Sequence, residues 1–330
     1  AFMSGPLRAS SCSTVTLNLL WGKRGILGVG RLVVKTRKSG FGLLLSRGFR
    51  LNSADHEQIG KNHIGSVFGG TMRQALMAAD HERRFGGVAR LYGPAAAERL
   101  KQASICVVGV GGVGSWTLEA LARTGIGQLA AVDLDMVAES NTNRQIHALG
   151  DIYGKAKVDA MAERILAINP DCEITYNEEF VTPENVAEIL RPNFDVVIDA
   201  IDQTRVKAAM IAHCRRQGTP IVVAGAAGGQ TDPTQVRISD LATTVQDPLL
   251  AKVRALLRRE YGFPRDTRKK FGVSAVFSTE ALRYPTAQAS CEASAGPAGL
   301  NCAGFGSSVC VTSVFGMAAA ARAIDMLLTK

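Results

Sequence analysis

From residue 94 the apolar positions alternate between short unbroken runs and helical stripes. "PAAAERLKQA" predicts a helix with Pro94 in its first turn. "SICVVGV" predicts a buried strand, and "GSWTLEALARTG" an amphipathic helix stopped by Gly125. "QLAAVDLD" is a second strand, and "KAKVDAMAERILAINP" a helix ended by Asn169 and Pro170. "CEITYNEEF" alternates as a half-exposed strand. "TPENVAEIL" is a short helix with Thr182 as its N-cap. "FDVVIDAID" and "PIVVAGAAGG" are apolar strands flanking the helix "QTRVKAAMIAHCRRQG". Strands apolar on both faces that alternate with helices predict an α/β fold. The expected form is a doubly wound, mostly parallel sheet with helices on both faces.

Beyond Gly229 the pattern loosens. "TQVRISDL" reads as a strand leaving the sheet, and "DPLLAKVRALLRREYG" as a helix with a basic face. "FPRDTRKKFG" is a polar loop, and "AGPAGLNCAGFGSS" a small-residue loop before a final helix. That helix, "VCVTSVFGMAAAARAIDMLL", is interrupted by Arg322 and Asp325 and has the length of a core helix, so no membrane span is predicted. No internal repeat or linker marks a second domain. Residues 72–330 read as one domain, with 236–330 as its C-terminal extension.

Composition changes the picture chiefly at the N-terminus. The 330 residues carry a net charge of +9, and residues 1–71 hold ten basic residues against Asp55 and Glu57. The remainder is nearly balanced, with 28 basic and 27 acidic residues. Whole-chain charge is therefore weak grounds for nucleic-acid binding by the folded part. Residues 1–71 read as a disordered leader, either an organellar transit peptide or a segment upstream of the start at Met72. The first reading places the protein in a mitochondrion or other organelle, the second in the cytoplasm. Seven cysteines without a CxxC pair suit a reducing compartment, and no zinc is predicted.

The chemistry begins at "ICVVGVGGVGSW". Gly109, Gly111 and Gly114 form G-x-G-x-x-G between a strand and a helix, where loop amides and a helix N-terminus receive phosphate. Asp133, 22 residues beyond Gly111, ends the second strand, placed for ribose hydroxyls. These residues alone describe a Rossmann domain for NAD, hence an oxidoreductase. The following segment differs. Asn141, Arg144 and Gln145 in "SNTNRQ", then Lys157, put amides and cations past the sheet edge. A triphosphate needs that charge, and Arg offers the matching fork. Asp202 ends "VVIDAID" at the same edge, where a carboxylate can hold Mg²⁺ against phosphates or cap the next helix.

Together, GxGGxG, DxD, SNxNRQ, AKV and DxxD resemble the ThiF/MoeB/HesA superfamily of E1-like adenylating enzymes. "RRFGGVARLYG", "NTNRQIHAL", "INPDCEI", "GAAGGQTDPTQV" and "VFSTEAL" extend the resemblance over residues 80–330, to the branch of tRNA threonylcarbamoyladenosine dehydratases. That implies an E1-like adenylation fold. It also implies ATP-dependent cyclisation of N6-threonylcarbamoyladenosine at position 37 of tRNA, through a carboxyl adenylate and release of AMP. The resemblance assigns Gly109, Gly111, Gly112 and Gly114 to the phosphate loop and Asp133 to the ribose. It gives Asn141, Arg144 and Lys157 to the phosphates and Asp202 to Mg²⁺, with Asp135 and Gln145 nearby. It further implies a homodimer. The usual R-Y-x-R-Q is replaced here by "RRFGG", so Arg84 or Arg90 is left to act across the dimer.

Relatives that move sulfur or activate a sulfur carrier use a cysteine, for which Cys291 and Cys302 are the candidates. That alternative activity, with a sulfur-transfer partner, stays open, whereas a non-catalytic scaffold would be expected to have lost Arg144, Lys157 or Asp202, and none is missing. For tRNA, the expected contacts are Lys252, Arg254, Arg258, Arg259, Arg268, Lys269 and Lys270, with Arg265 among them. The bland reading of the same cluster is a solvated helix face.

Overall fold

The structure, a computed structural model, describes residues 14–21, 28–37, 40–44, 80–190, 193–284 and 305–329. The chain divides into two units, 1–75 and 76–330. In the first, strands β1 (Thr14–Trp21), β2 (Gly28–Arg37) and β3 (Gly40–Leu44) pair antiparallel in that order. The sequence pattern predicts no packed element there. The rest of the expected leader lies outside the described residues.

The second unit begins with helices α1 (His81–Tyr92) and α2 (Pro94–Gln102). Strand β4 (Ser104–Val108) leads into helix α3 (Gly114–Arg123), and β5 (Gln128–Val132) into α4 (Lys157–Ile168). Then come β6 (Glu173–Asn177), the short helix α5 (Val186–Ile189), β7 (Val196–Asp199), α6 (Thr204–Gln217) and β8 (Ile221–Ala224). The extension adds β9 (Val236–Asp240), α7 (Pro248–Glu260), β10 (Ser274–Ser278) and α8 (Val309–Leu328).

Seven strands form one sheet in the order β6-β5-β4-β7-β8-β10-β9, parallel except for β9. Alternation along the strands divides the core. Ile105, Val107, Leu129, Ala131 and Ile198 face a layer holding α2, α3, α4 and α8. Cys106, Val108, Val132, Val197 and Val223 face α5, α6 and α7. Both faces are covered, as the unbroken apolar runs require.

Three elements depart from the sequence expectation. The "TQVRISDL" strand stays in the sheet as its antiparallel edge, held by β10. Strand β10 itself has no alternating pattern and is buried at all five positions. The helix expected over "TPENVAEIL" is confined to Val186–Ile189 with Asn185 as N-cap. Thr182 Oγ1 accepts from the N–H groups of Glu184 and Asn185 in the turn before it. Helix α8 is long and apolar enough to cross a membrane, but half of it is buried in this fold. Val311, Phe315, Ala319, Ala323 and Leu327 make its inner stripe.

Candidate functional site

Strand order reverses between β4 and β7, and the crevice beyond the strand ends at such a switch point is where open α/β sheets take ligands. A cavity of about 360 Å³ opens there. Of the eleven residues expected in the nucleotide site, Gly109, Gly111, Gly112, Asp133, Asp135, Asn141, Arg144, Gln145, Lys157 and Asp202 line it. Gly114 supports it from behind. A Cβ there would stand 1.7 Å from the Gly109 carbonyl oxygen, so the first turn of α3 can close onto the loop only with glycine. Gly112 serves a different need. A Cβ on it would meet Arg144 Cγ at 3.2 Å, so the extra glycine of GxGG lets the arginine stem lie over the loop.

Asp133 sits one residue past β5. Its Oδ2 accepts from Val110 N–H at 2.6 Å and its Oδ1 from Asp135 N–H at 2.9 Å. Burial raises its pKa above the usual aspartate range, against the pull of Lys157 and these two amides. Asp135 holds Lys157 at two points. Its Oδ2 accepts from Lys157 Nζ at 2.6 Å, and its carbonyl from Lys157 N–H at 3.0 Å. The lysine is 6% exposed, so the pair aims a nearly buried ammonium rather than a solvated one.

Asn141 is buried and builds the loop. Its Oδ1 accepts from Ala138 N–H at 3.0 Å, and its carbonyl accepts from Arg144 and Gln145 N–H. Arg144 Nη1 donates to Ser140 O at 2.7 Å and to Asn143 Oδ1 at 2.9 Å, while Trp116 Nε1 donates to Arg144 O at 2.9 Å. Gln145 is buried with Oε1 unpartnered within the chain. His147, two residues on, is 3% exposed with neither ring nitrogen bonded. Burial, with Lys157 and Arg164 nearby, pulls its pKa down to about 4, so the ring is neutral at pH 7.

Sequence reasoning missed Asn143, Trp116 and a buried ion pair under the β7 end. Lys207 Nζ donates to Asp199 Oδ1 at 2.8 Å, and both side chains are fully buried. Asp199 Oδ1 also accepts from Ile201 N–H, which shapes the turn carrying Asp202. The signal was present, since Lys207 interrupts the apolar side of "QTRVKAAMI".

Of the two arginines considered for a trans role, Arg84 is engaged in its own chain. Its Nη1 donates to the Ala167 and Ile168 carbonyls at the end of α4. Arg90 is exposed. In the basic extension, Arg254 bonds Thr244 Oγ1. Arg258 donates to Pro264 O and lies 5.2 Å over the Phe271 ring. Arg259 pairs with Glu260, and Arg268 with Asp266. Lys252, Lys269 and Lys270 are exposed. Cys291 and Cys302 lie outside the described residues.

Known proteins are similar over this region. The sequence is 52% identical over 253 residues to the Escherichia coli tRNA threonylcarbamoyladenosine dehydratase, covering 75% of this chain and 94% of that protein. It is 48% identical over 252 residues to the Haemophilus influenzae protein of the same name, covering 76% and 95%. The E. coli enzyme solved in complex with ATP superposes with a TM-score of 0.68 at 50% identity, over 75% of this chain and 95% of that one. Its AMP complex gives 0.69, with the same identity and coverage. The ThiF family is matched over residues 85–330, and this chain belongs to it.

Proposed function

We propose that this protein is an ATP-dependent dehydratase of N6-threonylcarbamoyladenosine in tRNA, working through a carboxyl adenylate. The observation that carries the reading is Arg144 and Lys157 held over one glycine loop at the switch point. Two fixed cations there exceed what a pyrophosphate on a helix terminus needs, and they match a triphosphate. ATP and AMP complexes of a half-identical relative support it.

The substrate carboxylate is a poor electrophile because its leaving group would be oxide. In the first step a carboxylate oxygen attacks the α-phosphorus, and the bond to pyrophosphate breaks with its electron pair. In the second, the carbamoyl group closes onto the activated carbonyl. AMP leaves with the former carboxylate oxygen, and a carbamoyl proton passes to solvent. Closure is intramolecular, so positioning supplies much of its rate. Asp133 accepts from the ribose hydroxyls, with Phe180 and Val181 on the apolar side of the cavity for the base. Arg144 and Lys157 stabilise the charge that builds on the phosphates.

Mg²⁺ fits this donor set only with help from the nucleotide. Among the described residues no three His, Cys, Asp or Glu side chains gather into a cage. Asp202 on the cavity wall is the carboxylate that would hold the ion while phosphates supply further oxygens. When bound, the ion neutralises phosphate charge. The same reading includes a homodimer with Arg90 reaching the partner's site. It places tRNA on the exposed cations Lys252, Arg259, Arg268, Lys269 and Lys270.

Isotope transfer tests the reading. Threonylcarbamoylated tRNA labelled with ¹⁸O in the carboxylate should give AMP bearing one labelled oxygen, and unmodified tRNA should give no AMP. Label in inorganic phosphate, or AMP release indifferent to the modification, would refute carboxyl adenylation.

A further inference from the structure

The cavity has two unlike walls. One runs from β4 to the start of α4 and carries the loop amides, Asp133, Arg144 and Lys157. The other is formed by Gly225–Gly228, Leu282, Phe305, Ser307 and Thr312, and among the described residues lining it there is no Lys or Arg. The first wall can answer a triphosphate. The second would leave a phosphate dianion uncompensated, and it suits a group of single negative charge held by neutral hydrogen-bond donors.

Helix α8 starts in this second wall. Aligned peptide dipoles favour negative charge at its N-terminus, although Ser308 Oγ already accepts from Cys310 N–H at 3.2 Å. A separate feature marks the position. Thr312, in the first turns of α8, is 3% exposed and lines the cavity, yet its Oγ1 has no partner within the chain. A buried hydroxyl is seldom left so. Helical Ser and Thr commonly return their proton to the carbonyl four residues back. Its neighbour Ser313 does this to Val309 O at 2.6 Å, and Thr117 and Thr124 do the same in and just past α3. Thr312 keeps its donor for something else.

Its location says what. One turn further along, α8 crosses the start of α3. Thr117 Oγ1, already turned to Val113 O, lies 3.2 Å from Gly316 O, and a Cβ on Gly316 would lie 2.5 Å from Val113 O. Thr312 therefore stands near the edge of the phosphate loop and lines the same cavity. Asn143 joins the two walls. Its Nδ2 donates to Ser307 O at 3.0 Å, while its Oδ1 accepts from Arg144.

We propose that Thr312 Oγ1, with the N-terminal turn of α8, seats the carboxylate that ATP activates. The hydroxyl donates to one carboxylate oxygen and leaves the other free to attack the α-phosphorus. This rests on the adenylating reading above and adds to it the half of the site that selects an acid as acceptor.

Thr312→Val keeps the shape and removes the donor, and Thr312→Ser restores it. At saturating ATP, the valine variant should lose roughly tenfold to hundredfold in kcat/KM for threonylcarbamoylated tRNA, as expected for a lost hydrogen bond to a charged group. Its Kd for ATP should stay within about twofold of wild type, and the serine variant should keep most activity. Unchanged kcat/KM in Thr312→Val would overturn the assignment. So would a proportionate loss of ATP affinity, which would place the hydroxyl on the nucleotide. A second measurement needs no variant. The wild-type protein with ATP should bind the substrate tRNA more tightly than its carboxyl methyl ester, and equal affinities would also overturn the proposal. If the wild-type protein releases no AMP with threonylcarbamoylated tRNA, the dehydratase reading itself fails, before Thr312 is tested.

Discussion

Arg144 shows how one residue joins several constraints. Its stem packs closely over Gly112, its backbone carbonyl is held by Trp116, and its guanidinium is aimed by Ser140 O and Asn143 Oδ1. Arg144→Ala should lower AMP formation about 10³-fold, by analogy with other phosphate-clamping arginines, while the melting temperature stays near wild type. Radiolabelled ATP turnover checks it, and near-normal turnover would remove Arg144 from the chemistry. The residue was legible because an Arg beside Asn and Gln after a strand has few other uses. Asn143 and Thr312 were not legible. Their residue types are common, and their roles depend on α8 crossing α3, a contact between segments about 200 residues apart.

At the scale of elements, helix ends were the easiest to read. Pro94, Gly125 and Asn169 stop or start helices for local steric reasons, and the structure has them at those places. Strand β10 was hidden because its ends are serines. A tertiary contact satisfies the first, since Arg322 Nε donates to Ser274 Oγ, while the second accepts locally from Glu280 N–H. The β7–α6 unit depends on the buried Lys207–Asp199 pair. Burial pushes the Asp199 carboxyl up, and the lysine opposes that. Lys207→Met strands a buried carboxylate and should cost about 3–5 kcal/mol in urea unfolding. A loss below about 1 kcal/mol would mean that the carboxyl accommodates the change by taking up a proton.

On the scale of the whole molecule, charge separates into a cation pair inside the cavity and a basic extension around α7. The structure divides that extension further. Arg254 and Arg258 brace the loop after α7, while Lys252, Arg259, Lys269 and Lys270 face solvent. Changing these four to Gln should make the slope of log affinity for tRNA against log salt shallower by about 3, with ATP binding unaffected. Filter binding across a salt series tests this. An unchanged slope would put the RNA elsewhere.

By itself, the sequence determined the α/β class, the glycine loop and most of the polar residues that gather at the cavity, because strand period, helix stops and the G-x-G-G-x-G spacing are local properties. It also carried the family, since the motifs recur in order along the chain. Tertiary structure alone decided which cations face solvent and which brace the fold, how β9 and β10 complete the sheet, and what forms the second wall of the cavity. Those outcomes depend on which distant groups satisfy each buried donor and acceptor. No local pattern encodes that pairing, and it leaves the Thr312 hydroxyl buried without a partner in the chain.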